Sequence, residues 1–223
     1  IDTDALGAPD EMARALQAVR DHKVDILVGT QMLSKGHDFA GVTLVCVLAA
    51  DQGLYSLDFR GSERLFQQLS QVSGRAGRRE TRGAVLVQTA HPEDPAFARL
   101  REHNFSGFAK EALVERQTAG YPPYVRFALM RAESTQSGAA IRFLQSAALA
   151  GENLASRSAV EIMTPVPSPM ERRAGRFRAQ LLVRSKDERR FHRSLEDWVQ
   201  RIEASRTAAR VRWSLDVDPQ EMY

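Results

Sequence analysis

The chain has very little cysteine and no long hydrophobic run. Its 223 residues include one cysteine, Cys46, so neither a disulfide within the chain nor a cysteine zinc site can form. No apolar stretch approaches the ~20 residues that a membrane-spanning helix requires, and no secretory signal precedes the first expected helix. We therefore expect a cytoplasmic protein with ordinary apolar cores, in which Cys46 is buried as a small hydrophobic residue.

The chain also lacks G-x-x-x-x-G-K-[ST], the loop whose backbone amides cradle nucleotide phosphates. It does contain arginines in a glycine-rich setting: in residues 71–78, QVSGRAGR, two arginines stand three residues apart, each behind a glycine. Arginine matches phosphate oxygens in geometry, and an arginine on a transferring phosphoryl group accelerates the reaction by roughly 10³ to 10⁵. A short pattern of this kind is equally compatible with an ordinary basic turn.

A second pattern about forty residues upstream decides between these interpretations. Residues 28–39, VGTQMLSKGHDF, follow directly on the apolar run 24–28. Together the two patterns resemble motifs V and VI of superfamily 2 helicases. The first fits T-x-x-x-x-[KR]-G-x-D through Thr30, Lys35, Gly36 and Asp38, and the second fits Q-x-x-G-R-x-G-R through Gln71, Gly74, Arg75, Gly77 and Arg78.

The sequence of the whole chain is similar to that of one branch of the superfamily, the primosomal replication-restart helicases of the PriA family. The resemblance is carried, in order, by GTQMLSKGHDF, VTLVCVLAAD, DFRGSERLFQQLSQVSGRAGR and the linker Tyr121-Pro122-Pro123. Gln71 departs from the histidine of many superfamily 2 relatives, but glutamine is common in this branch.

The resemblance implies the second motor lobe of an ATP-dependent 3′-to-5′ DNA helicase. Arg75 and Arg78 would be catalytic, reaching the γ-phosphate of ATP that is held with Mg²⁺ mainly by a partner lobe. The nucleotide side would also include Gln71, Gly36, Asp38 and Gly74. The phosphates of the tracked DNA strand would be contacted by Thr30, Gln31 and Lys35.

The same resemblance implies features that this sequence does not itself carry. Helicases of this branch are expected to hold zinc in a cysteine-rich module, which would lie upstream of Ile1. Expected partners are forked DNA, single-strand-binding protein and other primosome proteins, with no membrane. We expect the C-terminal piece of a longer enzyme, inactive as an ATPase by itself.

Apolar periodicity predicts an α/β fold for the first half of the chain. Runs at 24–28, 42–49 and 84–89 are nearly unbroken and alternate with helical stretches, which predicts parallel strands buried on both faces. Ser62 is expected to cap a helix that Gly74 ends. By resemblance, residues 1–120 form a truncated, three-layer RecA-like lobe with a helical extension from about residue 94, where Asp94-Pro95 predicts a helix start.

Ligands of such sheets bind outside the carboxyl ends of the strands, so Thr30, Asp51 and Arg75 are expected to face one crevice. Asp51 and Asp58 form a second tier of candidates. Either carboxylate could bridge to the arginines of motif VI or to Arg60, and either could instead be a cap or a solvated charge.

Tyr121-Pro122-Pro123-Tyr124 predicts an extended connection and a domain boundary. Beyond it the patterns alternate as strand 125–133, helix 136–154, strand 161–166, strand 175–183, helix 188–202 and strand 210–217. This βαββαβ order indicates an α+β, ferredoxin-like domain over 121–223. Ser185 and Glu188 are predicted to form a capping box.

The positive charge lies in this second domain. Residues 1–120 carry 14 basic and 16 acidic side chains, whereas 121–223 carry 17 and 12. Alternation along 175–183 places Phe177 on the core side, so base stacking by this sheet is not expected. The other side, with residues of the preceding loop, would form a basic sheet edge for DNA phosphates, or an edge that only aids solubility. Its residues are Arg172, Arg173, Arg176 and Arg178, with Arg184, Arg210 and Arg212 on the same side.

Three functional hypotheses follow. The leading one is the helicase segment just described. The second is a non-catalytic DNA-binding scaffold that keeps the motor motifs only as structure, and the third is a related fork-remodelling translocase. The five histidines show no metal-ligand spacing, so we predict no metal site in this chain.

Overall fold

The computed structural model describes residues 13–14, 17–19, 21, 23–29, 42–74, 83–158, 160–205 and 211–222. Contacts within the chain divide it into two units, Ile1–Lys110 and Glu111–Tyr223.

The first unit contains a short parallel sheet with helices between and after its strands. Strand β1 (Leu44–Val47) pairs with β2 (Ala84–Val87), Leu44 lying opposite Ala84. Helices α1 (Asp51–Leu54) and α2 (Gly61–Ser73) connect the two strands, and α3 (Pro95–Arg101) follows. Helix α4 (Phe105–Ala119) begins in this unit and continues into the second. The parallel pairing and the alternation of strand and helix confirm the predicted α/β class.

Helix α2 buries one apolar side, as its sequence predicts. Leu65 and Leu69 form a core with Ala50 and Phe97, while Phe66 stacks on Phe108 with ring centroids 4.2 Å apart. These residues recur at helical spacing, so one face of α2 is covered along its length.

The start of α2 differs from the prediction. The helix begins at Gly61, not after a Ser62 cap, and no side chain caps it. The backbone NH of Gly61 donates to the Asp58 carbonyl at 2.8 Å. A Cβ at Gly61 would lie 2.5 Å from Ser56 Cβ, so glycine is required by close approach. The predicted end at Gly74 is confirmed.

Three other predictions for this unit are wrong. Residues 24–28 form no strand in the described structure, and Ile26 and Val28 are exposed. Cys46 is exposed rather than buried. The third is the expectation of strands buried on two faces. Val47 and Val87 pack on the core, whereas Leu44, Cys46 and Leu86 on the other face of β1 and β2 are exposed.

The second unit is an antiparallel sheet with two helices. In order, it contains β3 (Arg126–Ser134), α5 (Ala139–Ser158), β4 (Val160–Ile162), β5 (Val166–Arg173), β6 (Arg176–Ser185), α6 (Glu188–Glu203) and β7 (Arg212–Val217). The sheet has the order β4-β6-β3-β7, and β5 also pairs with β6. It therefore has one strand more than predicted, because residues 166–173 pair along β6. The ferredoxin-like assignment stays a prediction.

Both helices pack on one face of this sheet. Alternate residues of β6, Ala179, Leu181 and Val183, are buried there, as the sequence pattern predicts. Trp198 of α6 is 2% exposed, and its indole NH donates to the Ala147 carbonyl of α5 at 2.8 Å. The core is completed by Ala128, Met130, Ala132, Phe143, Leu144, Phe191, Leu195 and Ile202.

Two local predictions in this unit are corrected. The cap of α6 is Asp187, whose carboxylate accepts from the Arg190 backbone NH at 3.0 Å. The expected capping box is absent because a cap at Asp187 makes Glu188 the first residue of the helix, and the Glu188 carboxylate forms an ion pair with Arg126 at 2.6 Å. The linker at 121–124 is a turn rather than an extended connection, since the backbone NH of Tyr124 donates to the Tyr121 carbonyl.

A two-residue turn joins β5 to β6. Arg173 and Arg176 are opposite one another, and Ala174 and Gly175 between them have φ values of 49° and 78°. Positive φ at both positions is the signature of a type I′ turn, for which Asn-Gly is the preferred pair. The backbone of Ala174 therefore adopts the left-handed conformation that most L-residues avoid.

We expect Ala174→Asn to stabilise the protein by about 0.5–1 kcal/mol, because asparagine tolerates this conformation better than alanine. Chemical denaturation of the two proteins measures the difference. Ala174→Val is the matched control and should be destabilising, since β-branched residues are outliers at positive φ. Equal stabilities for all three proteins would contradict this account of the turn.

Candidate nucleotide and nucleic-acid interfaces

Most of the predicted motor residues lie outside the described residues. This set comprises Thr30, Gln31, Lys35, Gly36, Asp38, Arg75 and Arg78. Their expected convergence at one crevice stays a prediction. Gln71 and Gly74 are the two members that the structure describes.

Gln71 and Gly74 lie at the carboxyl end of α2. Both are exposed, and the Gly74 NH donates to the Ser70 carbonyl at 3.1 Å as the helix ends. The apolar side of α2 is fixed by Leu65 and Leu69 in the core. The helix thus presents the residues around its end to solvent, where a ligand can reach Gln71.

Asp51 connects the ends of the two parallel strands. Its carboxylate accepts a short hydrogen bond from the Thr89 hydroxyl and a second from the Ala90 backbone NH at 2.9 Å. The hydrogen bond from Thr89, followed by that from Ala90, lowers the pKa of Asp51 below its usual value. The described contacts of this carboxylate therefore join the segment that follows β1 to the segment that follows β2.

Asp58 is buried at the start of α2. Its side chain is 0% exposed and lies 3.0 Å from the Arg64 guanidinium, and it also accepts from the Arg60 backbone NH at 3.0 Å. Its carboxylate therefore closes a turn just before α2 and pairs with Arg64, and it is not a cap of the helix itself. Such a buried carboxylate requires a partner, because an unpaired buried charge is strongly destabilising.

The predicted DNA-binding arginines gather at the β5–β6 hairpin, with one correction. Arg172 and Arg173 belong to strand β5, not to a loop, because the hairpin extends to the Ala174-Gly175 turn. Arg173 and Arg176 are direct cross-strand neighbours, and like charges in this position are destabilising. Arg172 lies over the Phe177 ring at 5.3 Å, on the other face of the hairpin.

Arg178 lies two residues further along β6, on the sheet face opposite the helices. It is half-buried and forms no ion pair with any described residue. Its cross-strand neighbour Glu133 instead pairs with Arg212 at 3.5 Å and Arg176 at 3.8 Å. Within the part of the chain that the structure describes, no carboxylate therefore compensates the Arg178 guanidinium.

Arg184 does not belong to the basic surface. Its guanidinium makes two hydrogen bonds to the Glu161 carboxylate, at 2.7 and 3.1 Å. The hydrogen bond from Arg184 lowers the pKa of Glu161, and the same bond raises the pKa of Arg184. A guanidinium that donates two hydrogen bonds to a carboxylate is neutralised by it and attracts a phosphate only weakly.

Two charged residues that the sequence patterns did not single out lie on the same sheet face. Arg131 and Glu133 project from β3 next to Gln180 and Arg178. The signal was present, since these charged residues alternate with Met130 and Ala132 of the core.

No group of three or more histidine, cysteine, aspartate or glutamate side chains suited to a metal ion occurs within the described ranges. None of the helices that the structure describes is long and apolar enough to cross a bilayer.

Two family descriptions match the chain in succession. Residues 6–80 match the helicase conserved C-terminal domain, and residues 117–220 match the primosomal protein N C-terminal domain. The chain therefore belongs to a class of helicase-related DNA replication proteins.

Curated relatives narrow the class further. The replication restart protein PriA of Haemophilus influenzae is 36% identical over all of this chain, that of Synechocystis is 44% identical over 73% of it, and that of Bacillus subtilis is 34% identical over all of it. The chain belongs to the PriA family of replication restart proteins. It spans 30%, 19% and 28% of the length of these three relatives.

Among solved structures, the de novo designed protein Foldit4 overlays 44% of this chain with a TM-score of 0.33 and 13% identity. A likeness this low has no bearing on fold or function.

Proposed function

We propose that this chain provides the second motor lobe and a DNA-binding unit of an ATP-dependent 3′-to-5′ DNA helicase, which restarts replication at stalled forks in the cytoplasm. The proposal is supported by membership of the PriA family and by the two motifs, at residues 30–38 and 71–78. The second unit is assigned a ferredoxin-like α+β fold, consistent with the order of its helices and strands.

The structural observation that carries the DNA-binding part of the proposal is the arginine cluster of the β5–β6 hairpin. Arg172, Arg173 and Arg176 lie within two residues of its turn, and two of them, Arg173 and Arg176, oppose one another across the strands. Glu133 lies 3.8 Å from Arg176 and offsets part of this repulsion, and an anion that reaches Arg173 relieves the rest. A DNA backbone supplies such anions at regular spacing.

On the motor side, we assign Arg75 and Arg78 to the γ-phosphate of ATP, which a partner lobe would hold together with Mg²⁺. Gln71 at the exposed end of α2, together with Gly74, Gly36 and Asp38, would complete this side of the cleft. When bound, the nucleotide would supply the free energy of phosphoryl transfer. The arginines would stabilise the charge that develops on its phosphate.

Thr30, Gln31 and Lys35 are assigned to the phosphates of the translocating strand. Forked DNA is the proposed substrate, with single-strand-binding protein and primosome proteins as partners. Zinc, where the full-length protein holds it, would be bound by residues outside this chain.

The DNA assignment is tested by replacing Arg172, Arg173, Arg176 and Arg178 together by glutamine in the full-length protein. We expect the affinity for forked DNA to fall by about 10- to 100-fold. We also expect the plot of log affinity against log salt to lose about 0.9 in slope for each arginine that contacts a phosphate. Fluorescence anisotropy at several salt concentrations measures both.

A charge-matched control replaces Lys186, Arg189, Arg193 and Arg201 by glutamine. These side chains lie on or next to α6, are exposed, and form no ion pair with a described residue. The control removes the same charge at a different surface, so its salt dependence should change much less. Equal effects in both variants would attribute binding to net charge, and no effect in either would refute the DNA assignment for this unit.

A further inference from the structure

An open concavity lies on the sheet face that the helices leave uncovered. Its volume is about 310 Å³, and strands β3, β5, β6 and β7 all contribute to its lining. The polar side chains of this lining are Arg131, Glu133, Ser168, Arg178, Arg212 and Ser214.

Strand register arranges these side chains in two rows. In the first row Arg212 is next to Glu133, which is next to Arg178. In the second row Ser214 is next to Arg131. Direct cross-strand neighbours have Cβ atoms about 4.5–5.5 Å apart, so three guanidiniums converge on one small area.

The carboxylates of this surface neutralise two of these guanidiniums and leave the third. Asp216 lies 3.0 Å from Arg131, and Glu133 lies 3.5 Å from Arg212. Arg178 is half-buried and has no carboxylate partner among the described residues. A cation that has lost part of its hydration without gaining a counterion favours an anionic ligand.

The shape and lining select the kind of anion. At about 310 Å³ the concavity is at the lower limit for small-molecule pockets, which suits a phosphate with its adjacent sugar. No described aromatic ring is placed to stack a base here: Trp213 packs with Phe143 in the core, their ring centroids 5.9 Å apart. Ser168 and Ser214 add hydroxyl groups to the lining.

We propose that this concavity binds one backbone phosphate of DNA, with Arg178 as its principal contact and Arg131, Arg212, Ser168 and Ser214 around it. The inference rests on the proposed function, since it specifies where this unit contacts DNA. It differs from the hairpin contact because it needs a defined shape. Filling the concavity without changing any charge should therefore weaken binding.

The test uses the full-length protein and forked DNA, with anisotropy measured over a range of salt. Ser214→Leu adds bulk to the lining of the concavity, and Arg178→Gln removes its principal cation. Each should weaken binding about tenfold and reduce the salt slope by about one, as expected when one phosphate contact is lost. Ser146→Leu adds the same bulk to an exposed position of α5, on the other side of the sheet, and should leave affinity unchanged.

The outcomes separate this inference from the proposed function. If the fourfold hairpin variant binds weakly while Ser214→Leu binds like the unmodified protein, the phosphate site in the concavity is wrong and the DNA assignment stands. If neither differs from the unmodified protein, both are wrong. A melting temperature for Ser214→Leu well below that of Ser146→Leu would attribute the weaker DNA binding to misfolding and overturn the assignment of a phosphate site to the concavity.

Free phosphate is the alternative source of the same chemistry. We expect inorganic phosphate in the millimolar range to compete weakly with DNA for the unmodified protein, because it lacks the flanking contacts. Inorganic phosphate or a mononucleotide that binds at Arg178 as tightly as forked DNA would overturn the assignment to a DNA backbone.

Discussion

Replacing Arg75 or Arg78 by alanine in the full-length protein should reduce DNA-stimulated ATP hydrolysis by roughly 10³ to 10⁵, equivalent to about 4 to 7 kcal/mol of transition-state stabilisation. Alanine removes the guanidinium that would neutralise charge on the transferring phosphate. Affinity for forked DNA should change little, because these arginines are assigned to the nucleotide. Steady-state ATPase assays and anisotropy measure the two effects.

Arg79→Ala is the control for this experiment. Arg79 directly follows the motif but has no place in its pattern, so most of the turnover should remain. If Arg75→Ala and Arg78→Ala both retain normal turnover, the catalytic assignment is wrong. An unmodified full-length protein without DNA-stimulated hydrolysis would favour the scaffold hypothesis.

Trp198→Ala should destabilise the second unit by about 3–5 kcal/mol, the cost usual for removing a buried tryptophan. The indole is 2% exposed in the core of the second unit, and the substitution also removes the hydrogen bond that it donates to the Ala147 carbonyl. Chemical denaturation followed by far-ultraviolet circular dichroism measures the loss.

Trp213→Ala provides the matched comparison for Trp198→Ala. Trp213 is only partly buried at the margin of the same core. A smaller area leaves water on folding, so the loss should be well under that of Trp198→Ala. Equal losses would contradict the description of Trp198 as the centre of this core.

Periodic patterns were sufficient to predict the elements with one strongly apolar side. The stripes of α2 and α6 and the alternation along β6 each repeat a burial preference several times, so local errors average out. The Asp94-Pro95 helix start was also predictable, because the Asp94 carboxylate accepts from the Ala96 NH as a cap should.

Features that depend on distant partners were not predictable in this way. The pairing of β5 follows from its contact with β6, since its own sequence, VPSPMERR, has no strand alternation. The Glu188 carboxylate, which the capping-box pattern assigned to the helix start, is bound by Arg126, sixty-two residues away. A local motif cannot anticipate a competitor from another strand.

The candidate site shows the same division. Arg172, Arg173, Arg176 and Arg178 were predicted as a group from charge and alternation, and the structure gathers them on one hairpin and its strand. Sequence alone could not separate Arg178, which has no carboxylate partner among the described residues, from Arg184, which Glu161 holds at 2.7 Å. That distinction requires the register between β4 and β6.

The outer strand of the second unit has a further consequence for how the molecule behaves in concentrated solution. β5 borders the sheet, and an uncovered border with free amide and carbonyl groups can recruit a strand from another molecule. Pro167 and Pro169 lack backbone NH groups, and the arginines of the same strand repel a second copy. The side chains proposed to attract nucleic acid therefore also protect the protein from self-association.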